Sequence, residues 1–114
     1  MRRDEARLLD MTLAAQEAMG FVADVSQEGF LADRKLQSAV CMQLEIVGEA
    51  ARALSDEFKA SHPEVPWRDV VGLRHRIVHE YFRLDLDVIW ETVKQDLPEL
   101  LGHLGRWAPS EDQG

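Results

Sequence analysis

Cysteine and tyrosine each occur once in the 114 residues, and no run of residues is both long and apolar. A lone cysteine excludes an intramolecular disulfide. The neighbours Val40, Met42 and Leu44 mark Cys41 as a small core side chain, as expected in a reducing cytoplasm. No stretch approaches the ~20 apolar residues that cross a bilayer. The opening Met1-Arg2-Arg3-Asp4-Glu5 has no apolar signal region, so the expectation is a cytoplasmic protein with no membrane partner. Positive charge is also scarce: 13 Lys and Arg stand against 21 Asp and Glu, for a net charge of -8. That balance excludes nonspecific coating of nucleic acid, which depends on broad phosphate neutralisation. A local basic cleft is not excluded. Sustained period-two alternation is absent, and so are internal repeats. A sheet-based fold and a solenoid are thereby set aside.

What is present is helical spacing in a chain of one-domain length. The pattern predicts a first helix over about residues 4 to 25, with Leu9, Leu13, Met19 and Val22 on or near its inward face and Gly20 as a weak point. Ser26 to Phe30 reads as a turn. From about residue 33 to 57, Leu36, Val40, Leu44, Val47, Ala51 and Leu54 recur at spacings of four and three. Ala39, Ile46, Ala50 and Ala53 widen that stripe enough to touch neighbours on two sides. Pro63 and Pro66 then break the periodicity. Trp67 opens a third helix, which ends near residues 79 to 82. A last helix starts at about Asp85, with Leu86, Ile89, Trp90, Val93, Leu97, Leu100 and Leu104 inward. Pro98 is expected to kink or divide it. Residues 108 to 114 read as a frayed tail beyond an all-α domain of residues 1 to 107.

Titratable chemistry concentrates in Arg74-His75-Arg76-Ile77-Val78-His79-Glu80-Tyr81, where two arginines and two histidines precede the only tyrosine. Arg68, Arg74, Arg76 and Arg83 lie within sixteen residues. Arginine's planar donors can hold a phosphodiester bidentately and stabilise the added charge of a pentacoordinate transition state. Histidine can take the proton of a ribose 2′-hydroxyl or protonate a leaving 5′-oxygen near neutral pH. On an ideal helix, residues five apart diverge by about 140° and residues seven apart return to within about 20°. Arg74 therefore lies over Tyr81 while His79 points elsewhere. A composite cleft at the twofold axis of a homodimer would reunite Arg74 with His79. The plainer reading makes His79 a helix-end cap, Tyr81 and Phe82 anchors of the third helix on the fourth, and the arginines a solvated face. His75 and His79 also have the i, i+4 spacing of a metal pair. The His-Glu-x-x-His pattern is absent, and further ligands would have to come from His62, His103 or distant carboxylates.

Arg74-x4-His79-x-Tyr81 resembles the signature of HEPN-domain proteins, specifically the HepT-like ribonuclease toxins. The segments Phe30 to Lys35, Gln43 to Ala51, Pro63 to Asp69, Trp90 to Val93 and Asp96 to Pro98 resemble that family's habitual segments in their usual order. Together they cover roughly residues 4 to 105. The resemblance implies a HEPN-type antiparallel bundle of four to five helices, a homodimer with the motif between subunits, and a metal-independent endoribonuclease without a cofactor. RNA is the implied substrate, and a cognate minimal nucleotidyltransferase the implied antitoxin. Carried over, Arg74 and His79 become the catalytic pair and Tyr81 the site of adenylylation. His75, Arg76 and Arg83 are candidate substrate-binding residues. Position 75 departs from the asparagine common in the family, which leaves its role open. Added bulk and negative charge at Tyr81, next to Arg74, would block phosphate binding. Two other readings stand beside this one: a noncatalytic nucleotide- or RNA-binding subunit of a nucleotidyltransferase, and a metal module built on His75 and His79.

Overall fold

Local capping chemistry sets most of the helix boundaries. The computed structural model describes residues 2–107, so the expected tail at 108 to 114 lies outside the described residues. α1 spans Arg2–Phe21 and α2 spans Gln27–Leu31. Ser26, expected in a turn, accepts the Gly29 N–H through its side chain and starts α2 instead. α3 runs from Arg34 to Ala53, begun by Asp33, whose carboxylate accepts from the Leu36 amide at 3.0 Å.

The second predicted helix ends earlier than its periodicity suggests. α3 stops at Ala53, and Ser55 caps a separate α4, Asp56–Ser61, by accepting the Phe58 N–H. The break is held from a distance. Asp4, only 4% exposed, accepts from the Ser55 amide at 2.8 Å and the Ser55 hydroxyl at 2.7 Å. Burial alone would raise the Asp4 pKa, but the hydrogen bonds from Ser55 and the nearby Arg3 charge hold it below the usual aspartate value.

α5 spans Trp67–Glu80, as the prolines and tryptophan indicate, and a 3-10 turn over Tyr81–Arg83 follows it. The Trp67 indole N–H donates to the His62 carbonyl at 2.9 Å, fixing the helix entrance. α6, Leu86–Glu91, and α7, Leu97–Leu104, are joined by a π-helical segment over Thr92–Asp96. The last predicted helix is thus divided just ahead of Pro98, by a π-helical segment and not by a loop. A proline ring collides with the carbonyl four residues before it in regular α-helix. The wider π turn, in which the Leu97 N–H reaches the Thr92 carbonyl, accommodates the ring at the start of α7.

The result is an all-α bundle, with no strand among the described residues. α3 is central: α1 packs on one side of it and α5 on the other, while α7 and the π segment close over α1. The core joins Leu8, Met11, Ala15 and Ala18 of α1, and Val22 just after it, to Val40, Leu44, Val47 and Ala51 of α3, with Ile89 of α6, Val93 of the π segment and Leu97 and Leu104 of α7. Leu13 differs from its predicted inward placement and is 39% exposed, because the buried face of α1 is built on the small residues Ala14, Ala15 and Ala18. They let α1 lie close to α3. Cys41 is buried as expected, and burial followed by the Glu45 charge pushes its thiol up to about 11.

Candidate active site

The position of α5 on α3 is set at one glycine. A Cβ built on Gly48 would stand 2.8 Å from the Arg74 backbone nitrogen, 3.0 Å from the Arg74 Cβ and 3.1 Å from the Val70 carbonyl. No real side chain fits there, so Gly48 lets the two helix backbones meet at Arg74. Val70 and Ile77, on the same side of α5, are buried against the core. Gly48 and Arg74 meet near one end of the contact, Ser38 and Tyr81 near the other, so the two helices run antiparallel.

Close approach brings Glu49 onto Arg74. Glu49 Oε2 lies 2.8 Å from Arg74 Nε, and Glu49 Oε1 lies 3.3 Å from Arg52 Nη1. The Arg74 side chain remains 40% exposed, and among the described residues no carboxylate pairs with its two terminal nitrogens. A guanidinium held along one edge presents its remaining donors in a fixed plane.

His75 and His79 stand one helical turn apart with ring centroids 4.4 Å apart, and both residues are exposed. His79 belongs to the last turn of α5. Among the described residues, no group of three or more His, Cys, Asp or Glu side chains is arranged to hold a metal ion.

The 3-10 turn redirects the chain at Tyr81. Its hydroxyl lies 2.5 Å from Ser38 Oγ, either group able to donate. Arg74 and Tyr81 thus both face α3, as the seven-residue spacing predicts. They do not converge: their partners Glu49 and Ser38 are eleven residues apart, about 16 Å along the axis of α3. Phe82 meets Tyr81 nearly at right angles, 84°, with centroids 5.2 Å apart, and is 88% exposed.

The other arginines spread outward. Arg83 is exposed on the 3-10 turn, and Arg76 lines a separate groove of about 460 Å³ between α5 and the last helix. The polar lining of this groove is mostly acidic, with Glu64, Asp69, Asp96 and Glu99. It does not gather the motif. Neither a hydrogen bond nor an ion pair joins Arg74 to His79 within the described residues, in keeping with their angular divergence on α5. Sequence reasoning assigned no role to Glu49, Gly48 or Ser38. The available signal was Gly48-Glu49 on the flank of a broad apolar stripe, where a glycine and an acid mark a close helix contact beside a cation.

The family described as ribonuclease HepT-like matches residues 11–106 of the chain. The chain is 42% identical over 95 residues to "Probable ribonuclease HepT" of Thermococcus cleftensis, covering 83% of this chain and 86% of that protein. It is 36% identical over 100 residues to "Putative RNase MJ1380" of Methanocaldococcus jannaschii, covering 87% and 92% respectively. No solved structure matches the chain.

Proposed function

The chain belongs to the HepT-like ribonuclease family, and from that premise we propose that it is a metal-independent endoribonuclease acting as the toxin of a toxin–antitoxin pair. The observation that carries this reading is the edge-held Arg74 guanidinium, bonded to Glu49 through Nε and open at its two terminal nitrogens. It is a ready clamp for the two non-bridging oxygens of a phosphodiester. His79 lies close by on the chain, in an exposed helix end. Its imidazole takes the proton of the ribose 2′-hydroxyl as that oxygen attacks phosphorus. The bond to the 5′-oxygen breaks, and the proton passes to that leaving oxygen. The products are a 2′,3′-cyclic phosphate and a 5′-hydroxyl. Arg74 offsets the charge that builds on phosphorus.

Because Arg74 and His79 diverge around α5, the working site is a composite of two subunits in a homodimer. His75, Arg76 and Arg83 serve as outer contacts to RNA. Exposed Met42, Ile46 and Val78 on α3 and α5 supply an apolar margin for subunit contact. Among the described residues no helix is long and apolar enough to cross a membrane.

Control falls to a cognate minimal nucleotidyltransferase. The Tyr81 oxygen leaves Ser38 and attacks the α-phosphorus of ATP held by that enzyme with magnesium. A tyrosyl–phosphorus bond forms, pyrophosphate departs with the electron pair, and the phenolic proton goes to solvent. The added adenylyl group, two residues from His79, excludes RNA by bulk and negative charge. The test is RNA cleavage by the purified protein in EDTA, compared with His79→Ala. Loss in the variant with its helical content intact supports the reading. Equal cleavage by both proteins would remove His79 from the reaction, and none by either favours the noncatalytic binding subunit.

A further inference from the structure

A second cleft, of about 200 Å³, lies where the start of α3 meets the 3-10 turn, and it holds chemistry that RNA cleavage does not use. Arg34 stands on one side, Tyr81 and Phe82 on the other, with Leu84 and Leu86 supplying apolar wall. Arg34 is exposed, and among the described residues no carboxylate lies within ion-pair distance of it. A guanidinium without a carboxylate at the mouth of a cleft suits a phosphate. Phe82 is the most exposed large apolar side chain among the described residues, at 88%, against 56% for Met42. Its near-perpendicular meeting with Tyr81 leaves it unstacked. Such a ring offers a platform for a base, since every base has a π-face. The wall between them is braced: Gln37 Nε2 donates to the Phe30 and Leu31 carbonyls at 2.9 and 3.1 Å.

We infer that this cleft is a seat for one nucleoside monophosphate, with Arg34 on the phosphate, Phe82 against the base, and Tyr81 and Ser38 beside the ribose. At about 200 Å³ the cleft encloses only part of one nucleotide, whose base stands outside against exposed Phe82, and it has no room for a run of them. The cleft adjoins the Tyr81 hydroxyl, so the occupant has two chemical sources: an adenylyl group carried on Tyr81, or one nucleotide of an RNA strand passing the motif. The seat deepens the proposed ribonuclease reading by giving that nucleotide a place. Its binding chemistry does not depend on cleavage.

The test is a titration of the isotope-labelled full chain with AMP, adenosine and inorganic phosphate, followed by amide shifts in nuclear magnetic resonance. AMP is expected to move the signals of Arg34, Phe82, Leu84 and Leu86 saturably, and to bind more tightly than adenosine or phosphate alone. Arg34→Ala and Phe82→Ala should each weaken AMP by about tenfold, as loss of a charge-assisted contact or a stacked base does. Both positions are exposed, and unchanged amide spectra elsewhere will show that the fold is kept. Protein fully adenylylated on Tyr81 that no longer binds AMP identifies the carried adenylyl group as the occupant. Displacement of AMP by a short single-stranded RNA identifies a substrate nucleotide. AMP shifts scattered over the surface, or affinities equal in wild type and both variants, overturn the seat. Failure of RNA cleavage would overturn the ribonuclease reading while leaving the titration result standing.

Discussion

Glu49 holds Arg74 by a single edge, Oε2 to Nε at 2.8 Å, while its other oxygen reaches Arg52 at 3.3 Å. The contact fixes the plane of the guanidinium without consuming its terminal nitrogens. Both side chains are close to half exposed, so the pair contributes little to folding, about 1 kcal/mol at most. Its value lies in orientation.

Glu49→Gln is expected to separate those two roles. The melting temperature should stay near that of wild type, while kcat for RNA cleavage falls by about tenfold as Arg74 loses its fixed plane. Steady-state kinetics alongside thermal melts will read both. Unchanged kcat would show that Arg74 orients itself without Glu49.

Gly48→Ala should act through the backbone. The new methyl group would sit 2.8 Å from the Arg74 nitrogen and 3.1 Å from the Val70 carbonyl, so α5 must lift from α3. Overpacking of this kind costs about 1–3 kcal/mol. Urea unfolding should record that loss with little change in m, and RNA cleavage should fall with it. Wild-type stability would mean that the helices slide apart freely.

Asp4 gives stability a pH signature. Its carboxyl titrates lower in the folded state than in the unfolded chain, so acid protonates the unfolded chain first. The contribution is complete above the unfolded aspartate value of about 3.9 and disappears as pH falls through the lowered folded value. Asp4→Asn should cost about 1–3 kcal/mol at neutral pH, because the Ser55 amide and hydroxyl lose a charged acceptor. The difference from wild type should shrink in unfolding curves recorded at progressively lower pH. A difference that does not change with pH would contradict this assignment.

Tyr81→Phe removes the hydroxyl that meets Ser38 and leaves the ring in place. The variant should fold and cleave RNA while escaping modification by a cognate transferase supplied with ATP and magnesium. Intact mass spectrometry should find one or more adenylyl groups on wild type and none on the variant, with cleavage assayed on the same samples. Modification of the variant, or full activity in adenylylated wild type, would refute the proposed control.

Legibility in the sequence followed the range of the interactions. The start of α5 was readable because Pro66 and Trp67 act locally, and the spacing of Arg74, His79 and Tyr81 was readable because one helix carries it. The break at Leu54 and Ser55 was hidden, since it depends on Asp4, some fifty residues away in the chain. Leu13 looked inward because period alone counts apolar residues. The packed face of α1 was instead chosen by small side chains that permit close approach. The π segment before Pro98 is a local answer to a local clash, but kink and π turn relieve the same collision. Glu49 and Ser38 were invisible as site residues because their roles depend on how α3 is rotated against α5, and Gly48 sets that at a single contact.

The most direct test of the central claim is single-turnover RNA cleavage by Arg74→Lys in EDTA, at saturating protein. Lysine keeps the positive charge but offers a point ammonium, which cannot pair with Glu49 along one edge and present two coplanar donors to a phosphodiester. If the edge-held guanidinium is the phosphate clamp, the cleavage rate falls by about a hundredfold or more while the circular dichroism and melting temperature match wild type. A variant that cleaves RNA at the wild-type rate would show that charge alone suffices at position 74, and the clamp account would be wrong.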